Sequence, residues 1–461
     1  MSPSHSCVIA PHFKGALSHV AGGKYGRMFP NLPPLKISEE VLRALGRSGS
    51  SMDLPAHSFD DPATDNPRIP AGFPILGQFV AHDITRDPSM LQHHATIKEL
   101  RNFRAPRLDL EVVYGAGALA TPYFYDLGDP DKFLIGLNEE GRPADVPRNA
   151  QGQALIADSR NDVHLIISQL HLAFLKFHNR IVDRFHDAGV RGEAALDEAR
   201  RLAIWHYQWI VVHEFLPLSV GQDTVDRIVH DGHLIYAFKG QPYIPVEFAD
   251  AAYRFGHPQI RGTYRLNDGA ADLKIFPDLA GSRPVPASRV IDWARFFAIP
   301  GRPAPQPSKR IDARLVHALI DLPESVVGTT ERPEQHSLAY RDLERGVDCD
   351  LPSGEMVARL VGVTPLSHDA LGLRELGWKG ETPLWFYLLK EAEVQCGGER
   401  LGEVGGRIVA EVLLGLIEGD PRSYRNVDPQ WRPTLPGAQS GEFTMADLLL
   451  FAGAAPSFGA A

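Results

Sequence analysis

The residues best suited to chemistry lie in the segment 77–88, which reads GQFVAHDITRDP. Gln78 and His82 are four residues apart, so on a helix both side chains leave from one face. Asp83 follows directly and points away from that face. The pattern offers a base, a neutral amide beside it and a carboxylate aimed elsewhere. A histidine on a helix is more often an ordinary core or surface residue. Whether His82 has a catalytic role therefore depends on what other segments contain.

Two further segments carry candidate site residues. Arg160, in IADSRNDVHLIISQLH, follows the capping residues Asp158 and Ser159, which predicts it in the first turn of a long helix. Acidic residues are preferred in the first turn of a helix. An arginine at such a position is as often a surface residue without a role as a functional one. His257, in YRFGHPQI, follows Gly256, which leaves room for a flat ligand, although a Gly-His-Pro turn is also a common loop.

A fourth segment, AYRDLERGVDCDLPSG at 339–354, places Asp342 and Arg345 about one helical turn apart. Exposed pairs of this kind are ordinary on helices. By itself the segment therefore favours a solvated face.

Two sets of histidines are rival candidates for metal binding. His164, His171 and His178 recur every seven residues, and His206 and His213 repeat that spacing. Two helical turns span about 10.5 Å, which is too far for neighbours in either set to share one metal ion. One of the first three could be a single haem ligand, but core or capping positions are favoured.

Common catalytic patterns are missing from a usable context. They include HExxH, CxxC, GxSxG, Walker A and GxGxxG. Their absence argues against zinc proteases, serine hydrolases, nucleotide hydrolases and dinucleotide oxidoreductases.

Composition narrows the class of protein. The chain has 461 residues, 44% of them hydrophobic and 23% charged, with a net charge of −10, so we expect a soluble globular protein without a nucleic-acid partner. No apolar run is long enough for a transmembrane segment or a signal peptide, which predicts a cytoplasmic protein, export by another route remaining open. Cys7, Cys349 and Cys396 form no disulfide framework. The oligomeric state is not indicated.

Periodicity predicts a mainly α fold, namely a single large helical domain over 71–455 with long loops, few short strands and an N-terminal arm over 1–70. The first core helix is predicted over 74–86, starting at Pro74, and the clearest helix over 159–187. Short strands are predicted at 121–125 and 132–136. The other predicted helices lie near 192–214, 218–230, 246–257, 289–296, 311–321, 337–346, 354–362, 383–396, 401–417 and 444–451.

Taken in order, these segments resemble the animal-type haem peroxidases, the superfamily of myeloperoxidase-like, peroxinectin-like and cyclooxygenase-like proteins, and especially its bacterial members. GQFVAHD resembles the distal helix, DSR with the later HNR the helix of the catalytic arginine, and YRFGH the proximal helix. LERG with LPSG resembles the helix that orients the proximal histidine, and LDLEVVYG the segment that completes a calcium site. The similarity spans roughly 70–450.

The resemblance implies a peroxidase centre with two sides. On the distal side His82 is the base, Gln78 its neighbour and Arg160 the catalytic arginine. Before the O–O bond breaks, a proton must leave one peroxide oxygen and reach the other, which a neutral His82 can accomplish. Arg160 can stabilise the negative charge on the departing oxygen.

On the proximal side the resemblance makes His257 the axial ligand of the haem iron. Arg254 and Arg345 match arginines near the haem and its propionates. Asp342 stands where the family usually has an asparagine bonded to the proximal imidazole. A carboxylate there gives the ligand more imidazolate character and lowers the iron potential.

The resemblance also implies a calcium site, with alterations. Asp83 and Asp109 match calcium ligands, while Ala105 and Glu111 replace an expected threonine and serine. Asp83, Asp109 and Glu111 could still hold Ca²⁺ through oxygen. Salt bridges among these acids are the equal alternative.

Other departures from the family refine the expected activity. Ala81 and Val163 stand at the two positions that form ester links to haem in mammalian members, which predicts non-covalent haem b and argues against efficient chloride oxidation. We therefore expect a peroxidase that uses hydrogen peroxide and oxidises small phenolic or anionic donors.

Two alternatives remain open. One is a cyclooxygenase-like dioxygenase acting on a fatty acid or specialised metabolite, which would need a tyrosine near the haem such as Tyr253 or Tyr207. Arg254 stands where that branch has its radical-forming tyrosine, which favours the peroxidase. The other is a haem-binding or partner-binding helical protein without activity.

Overall fold

The computed structural model describes residues 25–55, 61–86, 102, 104–374, 378 and 380–455; Cys7 and the end of the segment 77–88 lie outside them. Helices dominate the described residues, as predicted. The α-helices are α1 (Glu39–Gly46), α2 (Gly72–Ile84), α3 (Glu111–Tyr114), α4 (Leu165–Asp187), α5 (Glu193–Ile210), α6 (Leu216–Val220), α7 (Gln222–Asp231), α8 (Val246–Ala249), α9 (His317–Ile320), α10 (Glu324–Val327), α11 (Leu338–Asp348), α12 (Gly354–Leu360), α13 (Leu384–Cys396), α14 (Glu403–Glu418), α15 (Tyr424–Val427) and α16 (Met445–Phe451).

Strands are short and occur in pairs. They are β1 (Tyr25–Gly26), β2 (Asp53–Leu54), β3 (Asp65–Pro70), β4 (Ile244–Pro245), β5 (Thr263–Tyr264), β6 (Leu273–Lys274), β7 (Pro307–Lys309) and β8 (Leu315–Val316). β1 pairs with β4 and β2 with β8 in parallel, whereas β3 pairs with β7 and β5 with β6 antiparallel. Three strands from the first 70 residues, β1, β2 and β3, thus pair with strands later in the chain.

Helix α2 is the centre of the part that matters for the site. It is apolar on nearly every side, as expected for a helix that is buried all round. Phe79 stacks on Phe174 of α4, with ring centroids 4.4 Å apart, and meets Tyr207 of α5 edge-on at 6.2 Å. These contacts fix α2 against the two long helices.

The long helix predicted over 159–187 is interrupted. Ser159–Asp162 form a separate 3-10 turn, and His164 is extended, with φ −151° and ψ 157°, before α4 begins. His164 bridges to Ala280 of another loop and accepts the backbone N–H of Ile167 through its side chain. The prediction that Arg160 lies in the first turn of the long helix is therefore wrong, because His164 is the residue that caps α4.

Several other predicted elements are shorter than expected. The segment 121–125 forms a 3-10 turn followed by one isolated bridge between Tyr125 and Phe133, rather than two strands. The helix predicted at 218–230 is broken at Gly221, whose φ of 92° only glycine adopts readily. The helix predicted at 246–257 divides into α8 and a 3-10 turn, Ala252–Gly256.

Agreement is better towards the C-terminus. The four predictions over 354–362, 383–396, 401–417 and 444–451 each match a helix, α12, α13, α14 and α16. The segment 289–296 holds only 3-10 turns, and 311–321 holds strand β8 followed by the short α9. Throughout the described ranges, we find no helix that combines the length and apolarity needed to cross a bilayer.

Candidate active site

His82, the predicted distal base, lies near the end of α2 and is 9% exposed. Its Nδ1 is 2.7 Å from Oδ1 of Asn161, and the amide nitrogen of Asn161 is 2.9 Å from Nδ1 of His171. Burial, and after it the charge of Arg160, lower the pKa of His82 to about 3. The imidazole is therefore neutral at pH 7, as a proton acceptor must be.

Gln78 lies one turn earlier on α2 and is oriented by a second histidine. Its Oε1 is 2.8 Å from Nε2 of His164. Because Nδ1 of His164 accepts the backbone N–H of Ile167 at 3.3 Å, the ring proton is on Nε2 and is donated to Gln78. The amide nitrogen of Gln78 is left as the donor group.

Arg160 fastens the end of α2 to the 159–162 turn. Its guanidinium contacts Asp158 twice, at 3.0 and 2.8 Å, and donates to the carbonyl oxygens of His82, at 3.0 Å, and Thr85. Although burial opposes it, Arg160 holds the pKa of the Asp158 carboxyl well below its usual range. The arginine side chain stays 29% exposed, so a fixed positive charge borders the base.

On the opposite side, His257 follows the Ala252–Gly256 turn and contacts a carboxylate. Its Nδ1 is 2.5 Å from Oδ2 of Asp342 on α11, and the other carboxylate oxygen accepts from Arg254 at 2.5 Å. Burial would raise the pKa of Asp342, but His257 and Arg254 hold it below its usual value. The ionised acid accepts the Nδ1 proton, so the lone pair of His257 is on Nε2.

The two predicted arginines share a further carboxylate. Arg254 and Arg345 both contact Oδ1 of Asp250, at 2.9 and 3.1 Å, and the Cys349 thiol lies 3.4 Å from its other oxygen. Burial opposes ionisation of Asp250, but Arg345 and Arg254 lower its pKa. The structure thus places both arginines in an ion-pair network behind His257.

The elements carrying the two histidines adjoin. Tyr253, in the turn before His257, donates its hydroxyl hydrogen to the carbonyl oxygen of Gly77 on α2, at 3.3 Å. A side chain added at Gly256 would meet no atom within 4 Å, and Val163 is 47% exposed. Open space at Gly256, next to His257, and an imidazole with a lone pair fit a flat iron cofactor such as haem.

The carboxylates predicted to bind calcium are occupied by protein donors. Asp83 accepts two backbone N–H groups at the start of α3, at 3.1 Å each, and burial, with Asp109 next, raises its pKa to about 8. Asp109 accepts the N–H of Glu111, at 3.2 Å, and Glu111 pairs with Arg104, at 3.1 Å. The predicted convergence on a cation is not seen, because caps and ion pairs use these oxygens.

Within the described ranges, one trio of acidic and histidine side chains is close enough to share a metal ion, and it lies elsewhere. It consists of Asp129, Asp131 and His186. His186 already contacts Asp131 at 2.9 Å, and the Lys132 ammonium is 3.2 Å from Asp129. These contacts satisfy the group without an ion.

Sequence reasoning missed two residues that contact the predicted site, Asn161 and Asp250. Asn161 gave no signal, because an asparagine in a turn is ordinary. Asp250 gave none either, because an aspartate four residues before an arginine is ordinary and its other partner, Arg345, is distant in sequence. His164 and His171 were predicted as capping or core residues, which the structure confirms, but their contacts with Gln78 and Asn161 could not be read from spacing.

A family model described as "Animal haem peroxidase" matches residues 92–365, more than half of the chain. The matched region contains Arg160, His257 and Asp342. It begins after His82, so the assignment of His82 depends on its geometry.

Curated relatives agree with this match. Chorion peroxidase of Drosophila melanogaster is 26% identical over 367 residues, which cover 75% of this chain and 42% of the relative. Peroxidasin of the same organism is 24% identical over 382 residues, covering 73% of this chain and 23% of the relative. The chain therefore spans less than half the length of these relatives.

Solved structures show the same fold. Peroxidase A from Dictyostelium discoideum superposes with a TM-score of 0.66 at 15% identity, covering 94% of both chains. The fatty acid alpha-dioxygenase of Oryza sativa superposes with a TM-score of 0.61 at 15% identity, covering 85% of this chain and 75% of the other.

Proposed function

The chain belongs to the animal haem peroxidase family, and from this premise we propose that it is a haem-dependent peroxidase. Its substrates would be hydrogen peroxide and a small phenolic or anionic electron donor. One observation carries the proposal: His82 and His257 lie on adjoining elements, one neutral and bonded to an amide, the other bonded to a carboxylate.

The residues that would hold the cofactor are on the proximal side. Nε2 of His257 would ligate the iron while Asp342 fixes the ring through Nδ1. When bound, haem supplies the two electrons that reduce peroxide. Ala81 and Val163 have no carboxyl group for an ester link, so we propose non-covalent haem b.

On the distal side, the residues move a proton. Nε2 of His82 accepts a proton from one peroxide oxygen and returns it to the other, which leaves as water. The amide of Gln78 donates a hydrogen bond to orient the peroxide, because its oxygen is held by His164. The guanidinium of Arg160 stabilises negative charge on the departing oxygen.

Calcium forms no part of this proposal. Asp83, Asp109 and Glu111 are engaged by backbone N–H groups and arginine, as described above. Among the described residues, these three carboxylates do not form a group close enough to share one ion, so we propose no calcium here.

A second candidate is a fatty-acid dioxygenase, and Tyr253 favours it. This tyrosine is partly buried between the His257 turn and α2, and desolvation raises the pKa of its phenol well above the usual value. A neutral phenol there could give a hydrogen atom to the oxidised centre. Tyr207, the other tyrosine predicted for this role, is also buried, on α5.

The experiment that tests the proposal is reconstitution with haem, followed by assays with two substrate pairs. We expect a Soret band that saturates at one haem per chain and turnover of a phenol with hydrogen peroxide. Oxygen consumption with linoleate and no phenol turnover would support the dioxygenase. A protein that binds no haem would contradict both.

The absence of a covalent link has its own test. Acidified organic solvent should extract essentially all haem from the reconstituted protein after turnover with peroxide, because residues 81 and 163 cannot form esters. The extracted haem should be unmodified by mass spectrometry. Haem that stays with the protein would contradict this assignment.

A further inference from the structure

Asn161 is buried at the centre of a chain of three side chains. Its amide lies between His82 of α2 and His171 of α4, with the oxygen 2.7 Å from one ring and the nitrogen 2.9 Å from the other. Asn161 is fully buried, so solvent does not compete for these contacts. The two ends of the amide therefore define the direction of both hydrogen bonds.

The direction follows from the chemistry of the amide. Its oxygen only accepts, so Nδ1 of His82 must carry the ring proton and Nε2 has the lone pair. Its nitrogen only donates, so Nδ1 of His171 accepts and the proton of that ring is on Nε2. Nε2 of His171 is buried without a partner among the described residues, which shows that the arrangement is held at a cost.

The backbone fixes Asn161 in this place. Its N–H donates to the carbonyl oxygen of Asp158 at 3.0 Å, within the 3-10 turn that the Asp158 side chain caps. The same carboxylate binds Arg160, which holds the end of α2. The turn thus sets the distance between Asn161 and His82.

We propose that Asn161 is a positioning residue that keeps the proton of His82 on Nδ1, so that Nε2 is free to accept the proton of peroxide. The proposal rests on the peroxidase function proposed above. In this proposal the amide of Asn161, and not His82 alone, determines which ring nitrogen of His82 reacts. An amide suits this role because it fixes the tautomer without adding a negative charge that would favour the protonated ring.

The first test reads the tautomer directly and needs no turnover. Histidine-labelled protein with bound haem, in the diamagnetic ferrous carbonmonoxy form, is measured by long-range ¹H–¹⁵N correlation. The His82 signals are assigned by their loss in His82→Ala. We expect a protonated Nδ1 and an unprotonated Nε2 in the wild type. A wild-type His82 with its proton on Nε2 would overturn the proposal even if the protein is an active peroxidase.

Two variants separate positioning from a structural role. In Asn161→Leu the acceptor is lost, so we expect the Nε2–H form to appear and the peroxide reaction to slow by about tenfold or more. In Asn161→Asp the acceptor remains, so the tautomer and the rate at high pH should be kept. The new charge should shift the acid limb of the rate upward in pH, since it favours imidazolium.

Apart from residue 161 itself, the charged and titratable groups around His82 are the same in both variants. They are Arg160 and Asp158 on the turn, and His164 and His171. Equal losses of rate in Asn161→Leu and Asn161→Asp, with the wild-type tautomer in both, would mean that Asn161 only fills space. If Asn161→Leu does not fold, Asn161→Asp tests the proposal alone: a retained tautomer with an upward shift of the acid limb in pH supports it, and the absence of that shift contradicts it.

Asn179 provides a matched control on α4. Its amide also bridges two groups, the backbone N–H and carbonyl oxygen of Phe133, at 2.7 and 2.8 Å. Asn179→Leu should leave the His82 tautomer and the pH profile unchanged. A changed tautomer there would show that any lost amide on this segment disturbs His82.

If peroxide does not react with the wild type, the proposed function is contradicted. The tautomer measurement still tests the role of Asn161, because it needs no turnover. Cyanide affinity of the ferric protein gives a second such readout, because bound cyanide leaves a proton for the distal base. We expect Asn161→Leu to weaken cyanide binding by about tenfold and Asn179→Leu to leave it unchanged.

Discussion

The two sides of the candidate centre treat an imidazole in opposite ways. His82 bonds to the neutral amide of Asn161, whereas His257 bonds to the ionised carboxylate of Asp342. Within the described part of the chain, the first ring contacts no carboxylate directly, and the nearby charges are the paired Arg160 and Asp158 on the 159–162 turn. Behind the second, Arg254, Asp342 and Asp250 form a network of charges. Both partners hold the proton on Nδ1, but only the carboxylate adds negative charge.

The different hydrogen-bond partners indicate a different chemical role for each imidazole. A base must be neutral before it reacts, and burial without a carboxylate keeps the pKa of His82 low. An iron ligand benefits from electron density, which a carboxylate on its other nitrogen supplies. The same side chain therefore serves two roles because its hydrogen-bond partner differs.

The largest expected effect is on the distal side. His82→Ala should retain haem but slow the reaction with peroxide by about 10²- to 10⁴-fold, because the proton acceptor is gone. Stopped-flow spectra of the reconstituted protein measure this rate. His317→Ala is the control, since that histidine contacts Asp53 on β2, outside the candidate site. An unchanged rate in His82→Ala would reject His82 as the base.

The next effect is loss of the proximal ligand. His257→Ala should weaken haem binding by more than about 100-fold, because it removes the proposed iron ligand whose ring Asp342 orients through Nδ1. Titration with haem, followed at the Soret band, measures the affinity. Tight binding with an unaltered ferric spectrum would place the iron ligand elsewhere.

Asp342→Asn makes the proximal partner resemble the distal one. We expect haem affinity to fall about 10- to 100-fold and the iron reduction potential to rise, because the amide donates less charge to His257. Arg254→Gln controls for the lost ion pair and should change the potential less. Equal potentials in wild type and Asp342→Asn would mean that the carboxylate serves only folding.

The smallest effect concerns the buried neutral histidines in acid. Burial lowers the pKa of His171 and of His206 to about 4, below the value near 6.5 in the unfolded chain. The unfolded chain therefore gains protons first. Stability should be complete above about pH 6.5 and fall towards about pH 4, by up to about 1.4 kcal/mol per histidine per pH unit. Urea unfolding of wild type and His206→Gln at several pH values measures it, and equal slopes would contradict this account.

The sequence predicted the main elements but not how they meet. Apolar periodicity was sufficient for α13 and α14, because a long buried helix has a repeating face. It failed at 159–164, where a capping histidine and a bridge to Ala280 override the helical pattern. Such tertiary contacts leave no local signal.

Some residues of the candidate site could be predicted from the sequence and others could not. Motif order predicted His82, Arg160 and His257 as site residues, since they lie in recognisable segments. Asn161 was not predicted, because its role depends on two histidines that folding brings to either end of one amide. The calcium prediction stays a prediction, and the partners that Asp83 and Glu111 have in the fold, two backbone N–H groups and Arg104, could not be read from the sequence.

The most direct test is the rate at which peroxide changes the spectrum of the haem-loaded wild type, measured from about pH 4 to about pH 8. Because the pKa of His82 is lowered to about 3, the base is neutral over that whole range and the rate should stay flat. A rate that rises through the ordinary histidine range, near pH 6.5, would contradict the account of a base kept neutral by burial and an amide partner.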